Sequence, residues 1–167
     1  MSNFYIDRGK AKAALLYVAN RVPGVDEYKL YEILYFAEQH HLVKYGRPIM
    51  SEIYEKTPSG LVPIMACKGI IHDDSNTTVG LAGGMMTANE KPDLEELSIS
   101  DLECLDLSMA QNKDKPLQLL GDFDGGIYQK VNVDHLIEDL DIAWHGKAEP
   151  AMMEYIKIHM ENGWKPE

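Results

Sequence analysis

The feature that most constrains the fold is the segment at residues 26–48, DEYKLYEILYFAEQHHLVKYGRP. Asp26 is placed to cap a helix, because its carboxylate can accept from the orphan backbone N–H groups of a first turn. The helix runs to about Tyr45. Between Leu30 and Ala37 the apolar residues cover more than one side of it. A helix with so wide an apolar surface is central and covered by several neighbours. Gly46 supplies a left-handed stop, and Pro48 prevents easy continuation. The rest of the chain must therefore pack around one buried helix.

Shorter signals order the remaining sequence. Asp7 caps a first helix that carries Ala11, Ala14, Leu15, Val18 and Val22 on one face and ends at Pro23-Gly24. Ile53 and Tyr54 read as a short extended piece, Pro58-Ser59-Gly60 as a turn, and Pro63 as the opening of a short helix over Met65 to Ile71. Thr77 to Leu81, a turn at Ala82-Gly83-Gly84 and Met85 to Thr87 make a small hairpin. Ser100 with Glu103 reads as a capping box, followed by an inner face of Leu102, Leu105 and Met109. Pro116 to Leu120 reads as a short helix and Asp122 to Gly126 as a turn. Val133 to Ile142 reads as a helix with Leu136, Ile137 and Leu140 inward. Glu149-Pro150 opens a last helix with Met152, Met153, Ile156 and Met160 at helical spacing. No repeat or flexible linker interrupts the 167 residues. The expectation is a single domain over 1–167 of class α+β, mainly α: a compact helical domain around a central buried helix with a small β-hairpin.

Charge bears on function. The formal net charge is −11, which repels phosphate backbones and disfavours nucleic-acid binding by this chain alone. Arg8, Lys10 and Lys12 form a local basic group. An acidic surface suits a basic partner, and it is also a common route to solubility. The acids concentrate at Asp93, Glu95, Glu96, Asp101, Glu103 and Asp106, with no basic residue between Lys91 and Lys113. Acids at a helix start explain Asp101 and Glu103; a basic-partner surface would explain Asp93 to Glu96. Cys67 and Cys104 lie in apolar contexts without a C-x-x-C pair and read as buried free thiols, which fits a reducing cytoplasm. No segment approaches the roughly 18 apolar residues that span a membrane, and the N-terminal residues lack a signal-peptide pattern. A cytoplasmic protein is expected.

Motifs for catalysis or metal binding do not close. His40-His41 are adjacent, so on a helix their side chains point about 100° apart. The simpler account has one ring in the core and one at the surface. His72-Asp73-Asp74 lacks a further ligand, and His135 with Glu138 is a single pair rather than the doubled set of a di-metal bundle. Asp122 to Gly126 resembles the start of a calcium loop, but position 12 is Val133 and not the required glutamate. The glycines from Gly80 to Gly84 fit a hairpin turn and not a phosphate-binding motif. No catalytic residue, cofactor or metal is expected. A metal-dependent hydrolase built on His40, His41, His72 and Asp74 is the enzymatic alternative.

The run ILYFAEQHHLVKYGRPIMSEIYEKTPSGLVP resembles the signature of the SocA-like (Panacea) antitoxin domain family. The matching positions are Leu34, Tyr35, Phe36, Ala37, His41, Leu42, Tyr45, Gly46, Arg47, Pro48, Tyr54, Gly60, Val62 and Pro63. KPDLEELSISDLECLDLSM and EDLDIAWHGKAEPAMMEYI are similar to later parts of the same pattern, so the resemblance spans roughly residues 10 to 160. Two departures stand out. Leu61 replaces the family's proline, and DFDGGIY at 122–128 replaces a Ser-His-Asp…Ala-Trp motif. The resemblance implies an antitoxin that neutralises, by direct contact, a protein toxin encoded nearby. It also implies relatives that are phage-borne or act as proteolytic adaptors. A homo-oligomer is left open.

The candidate interaction or motif residues are Tyr35, His41, Tyr45, Gly46, Arg47, Pro48, Tyr54, Gly60, Val62 and Pro63. Arg47 can hold a carboxylate or a helix end through its planar fork. Tyr35, Tyr45 and Tyr54 suit core edges and interface anchors. Fold maintenance is the competing account for each.

Overall fold

Helix α2 (Glu27–Tyr45) is the hub: α1 (Arg8–Arg21), α4 (Ile99–Asn112), α5 (Asp139–His145) and strand β2 (Gly60–Pro63) all pack on it. The computed structural model describes residues 6–117 and 136–162. Among them the helices also include α3 (Cys67–His72), a 3-10 turn at Leu94–Glu96 and α6 (Pro150–Asn162). Strands β1 (Tyr54–Thr57), β2 and β5 (Leu136–Ile137) form an antiparallel sheet in the order β2-β1-β5, and β3 (Val79–Ala82) pairs with β4 (Met85–Ala88). The expected α+β, mainly α class with a central helix and a small hairpin is what the chain adopts.

The local reasons are the expected ones at both long N-terminal helices. Asp7 accepts from Lys10 N at 3.0 Å, and Asp26 accepts from the N–H groups of Tyr28 and Lys29. Gly46 ends α2 at φ 73°, its N–H donating to Leu42 O. Leu30, Tyr31, Ile33, Leu34, Tyr35, Ala37 and Leu42 of α2 are all fully buried. They divide between two apolar clusters, one shared with α1 and α4 and one shared with α5 and α6. Each buried leucine-sized side chain contributes about 2 kcal/mol, so α2 carries much of the driving force for folding.

The β3–β4 hairpin is tied to the α1–α2 connection by Met86 N to Val25 O and Gly24 N to Met86 O. Its outer edge is blunted by one side chain. Asn76 Nδ2 donates to Val79 O at 2.9 Å while Asn76 Oδ1 accepts from Val79 N at 3.3 Å. The amide thus substitutes for a neighbouring strand and shortens the edge open to another chain.

Four local expectations change. Pro63 lies in β2, opposite Tyr54, and not at a helix start; α3 begins only at Cys67. A residue without an N–H is tolerated at the end of an edge strand. Leu136 and Ile137 are strand and not helix, because they pair with Glu55 and Tyr54 on the open side of β1. Glu138 is then the N-cap of α5, in a capping box with Asp141, and does not lie within a helix. The capping box of α4 is Ser98 with Asp101; Ser100 lies within the first turn. Pro116 and Leu117 carry no helix. The expectations for 118–120, 122–126, 133–135 and Gly163 lie outside the described residues. No helix among the described residues is long and apolar enough to cross a membrane.

Candidate partner-binding site

After Gly46 the chain reverses through Arg47–Glu52 before entering β1. Irregular backbone that is buried needs hydrogen-bond partners, and His41 and Glu38 of α2 supply them at Arg47, Ile49 and Met50. His41 Nδ1 donates to Arg47 O at 2.5 Å. Glu38 accepts from the N–H groups of Ile49 and Met50. Ser51, held at φ 61°, donates to Asp139 Oδ2 at 2.8 Å. Glu52 accepts from Met65 N at 2.6 Å, Ala66 N at 3.1 Å and Cys67 N at 3.2 Å. The N-cap residue of α3 is Ala66, which has no side-chain acceptor. Glu52 therefore caps α3 from outside it.

Glu38 and Glu52 are both 0% exposed. Burial pushes the Glu38 carboxyl up to about 8, the Asp139 charge adds to this, and the Ile49 and Met50 amides oppose it. Burial also raises Glu52, against the pull of its backbone donors. Desolvation lowers His41, against the pull of the Arg47 carbonyl and Asp101. The His41 Nε2 lies 2.9 Å from Ser100 Oγ and 3.3 Å from Asp101 Oδ1, while Lys10 Nζ pairs with Asp101 Oδ2 at 2.8 Å. A serine nucleophile would use such a serine–histidine contact. Here, however, the carboxylate stands at the same ring nitrogen instead of orienting the other, and His41 is 1% exposed. The cluster joins α1, α2 and α4.

The tyrosines divide. Tyr35 and Tyr54 are fully buried and meet edge to face at 5.5 Å. The Tyr35 hydroxyl lies 3.1 Å from His145 Nδ1, and the Tyr54 hydroxyl has no hydrogen-bond partner among the described residues. Neither is available as an interface anchor. Tyr45 is half-buried and donates to Glu103, which also receives Lys44. Arg47 is exposed, and among the described residues its guanidinium holds no carboxylate; it is the carbonyl of Arg47 that is used. The expected fork is thus corrected: the bend turns the Arg47 side chain outward. A Cβ on Gly46 would lie 2.6 Å from Tyr155 Cδ1 and 2.7 Å from Met152 Sδ. Pro48 is half-buried in the bend, while Gly60, Val62 and Pro63 are buried in β2. The candidate residues are brought together as a scaffold.

The histidines separate as the residues' adjacency requires. His41 is internal, whereas His40 is half-buried and meets Gln111 Oε1 at 3.0 Å. His72 pairs with Glu27 at 2.6 Å, and Asp74 is exposed. Among the described residues no three of histidine, cysteine, aspartate and glutamate are arranged to hold a metal ion. Cys67 and Cys104 are buried free thiols, and burial raises both. Two lysines of the basic group are engaged, Lys10 with Asp101 and Lys12 with Glu90.

The outward surface is different in kind. Leu94 is 52% exposed, Ile99 86% and Leu107 44%. Ile99, Glu103 and Leu107 follow at four-residue spacing along one side of α4, away from the buried Cys104, Leu105, Ser108 and Met109. Glu95 and Glu96, beside Leu94 in the chain, and Glu103 and Asp106 of α4 are exposed too. This mixed apolar and acidic face was readable as a second, outward spacing within α4. The buried acids were signalled only by lying next to apolar runs. Compared with known proteins, the chain matches no family model, no curated protein and no solved structure.

Proposed function

We propose that the chain is a protein-binding antitoxin or regulator that neutralises a partner toxin encoded nearby, by direct contact and without catalysis, as its resemblance to SocA-like (Panacea) domains implies. One observation carries the reading. Glu38, His41 and Glu52 are committed to the chain's own backbone, while Leu94, Ile99 and Leu107 stand exposed among acids. Exposed apolar side chains rimmed by charge are the make-up of a protein contact surface. The acidic rim suits a basic toxin, through steering and through complementary charge.

The test is co-expression with each product of the neighbouring genes. Rescue of growth from one toxic product, together with co-purification, is the expected result. Absence of both for every neighbour sinks the role. Ile99→Glu and Leu107→Glu should weaken the complex without unfolding the chain, since both positions are exposed.

A further inference from the structure

A cleft of about 340 Å3 opens between the start of α2, the β1–β2 hairpin and α3, lined by Glu27, Tyr28, Glu55, Val62, Lys68 and His72 among others. Strand alternation explains one wall. Tyr54 faces the core, so Glu55 and Thr57 face the other side of the sheet, and Val62, paired with Glu55, shares that face. The first turn of α2 supplies Glu27 and Tyr28, and α3 supplies Lys68 and His72 four residues apart.

Glu27 is anchored by one oxygen only. Tyr31 OH donates to Oε2 at 2.5 Å and His72 Nε2 meets the same Oε2 at 2.6 Å. Its Oε1 accepts no hydrogen bond from the described residues. The carboxylate is therefore oriented, with an acceptor to spare. Glu55 is half-buried and has no cation against it among the described residues. The Tyr28 ring is held edge-on by Tyr31 at 5.8 Å. Two carboxylates, an aromatic face and an aliphatic wall match a guanidinium on its methylene stem. Lys68 opposes an incoming cation, but the Nε2 of His72 is already engaged by Glu27. The two carboxylates outweigh the ammonium of Lys68 that lines the cleft, and the chain's net charge of −11 acts in the same sense.

We propose that this cleft receives an arginine side chain of a protein partner, with its stem against Tyr28 and Val62 and its guanidinium between Glu27 and Glu55. The inference deepens the protein-binding reading and depends on it for the source of the arginine. A buried arginine in a fitted pocket is a common anchor of protein interfaces.

The test titrates the 15N-labelled full chain with N-acetyl-arginine methylamide. Saturable shifts are expected at the amides of residues 55–62 and 68–72. Glu55→Gln should weaken binding about tenfold, and Lys68→Glu should strengthen it by a similar factor. Three results overturn the proposal: no saturable shift, unchanged binding by Glu55→Gln, or an equal response at the same amides to N-acetyl-glutamate methylamide or inorganic phosphate. The last would make the cleft an anion site. A toxin complex that forms normally with a cleft that ignores arginine removes this inference alone. A chain that rescues no toxin yet binds the arginine probe removes the antitoxin reading alone.

Discussion

Gly46 and Gly83 meet the same backbone demand in two different surroundings. Both are left-handed, at φ 73° and 61°, and both let the chain reverse after a regular element. A Cβ on Gly46 would press on Tyr155 and Met152 of α6, whereas one on Gly83 would meet nothing within 4 Å. The bend after Gly46 is also bound from within by Glu38, His41 and Asp139, and its Glu52 caps α3. The turn at Gly83-Gly84 is held by its own hairpin and by Glu27 N, which donates to Gly84 O at 2.9 Å. The space beside Gly83 is open and the space beside Gly46 is filled, so the same substitution should separate backbone strain from packing.

The sharpest way to break this contrast is to remove the cap from α3. Glu52→Ala strands three N–H groups, those of Ala66 and Cys67 buried, and should cost about 2–4 kcal/mol in urea unfolding. A loss below about 1 kcal/mol would mean that α3 does not depend on this cap. Gly46→Ala combines left-handed strain with overpacking against α6. We expect about 2–4 kcal/mol, with altered amide shifts in α6 as the second readout.

The third prediction concerns pH. Glu38 rises from 4.5 to about 8 on folding, so the folded state keeps a proton that the unfolded chain gives up. That contribution is complete below the unfolded value and is lost as pH rises through about 8. Asp141, raised from 3.8 to about 6 by burial, acts in the same sense at lower pH. Glu38→Gln should match the parent near about pH 5 and exceed it by about 1–3 kcal/mol near about pH 9. Parallel urea midpoints for the two proteins across this range would show that Glu38 is not the buried proton site. The smallest effect belongs to Gly83→Ala, at about 1 kcal/mol or less, with no change beyond the hairpin. A larger loss would mean that the hairpin tip is packed after all.

Part of the bend was legible as a local signal but not as an arrangement. Gly46 takes the left-handed conformation expected of it. That Tyr35 and Tyr54 would be internal, and Arg47 would point outward, depended on which elements covered them. The exposed Ile99 and Leu107 share α4 with an inner apolar spacing that masks them, and Leu94 lies in the 3-10 turn before it.

By itself the sequence determined the elements whose signals lie within a few residues: the caps at Asp7 and Asp26, the buried helix ending at Gly46, the turn at Gly83-Gly84, and α6 from Pro150. Only the tertiary structure decided that Ser51 would reach Asp139, 88 positions away, that Glu52 would cap a helix it does not belong to, and that Leu136-Ile137 would complete a sheet. A cap or a turn is specified by neighbours that are always close. A buried carboxylate or an edge strand is specified by whichever distant backbone the packed core brings to it.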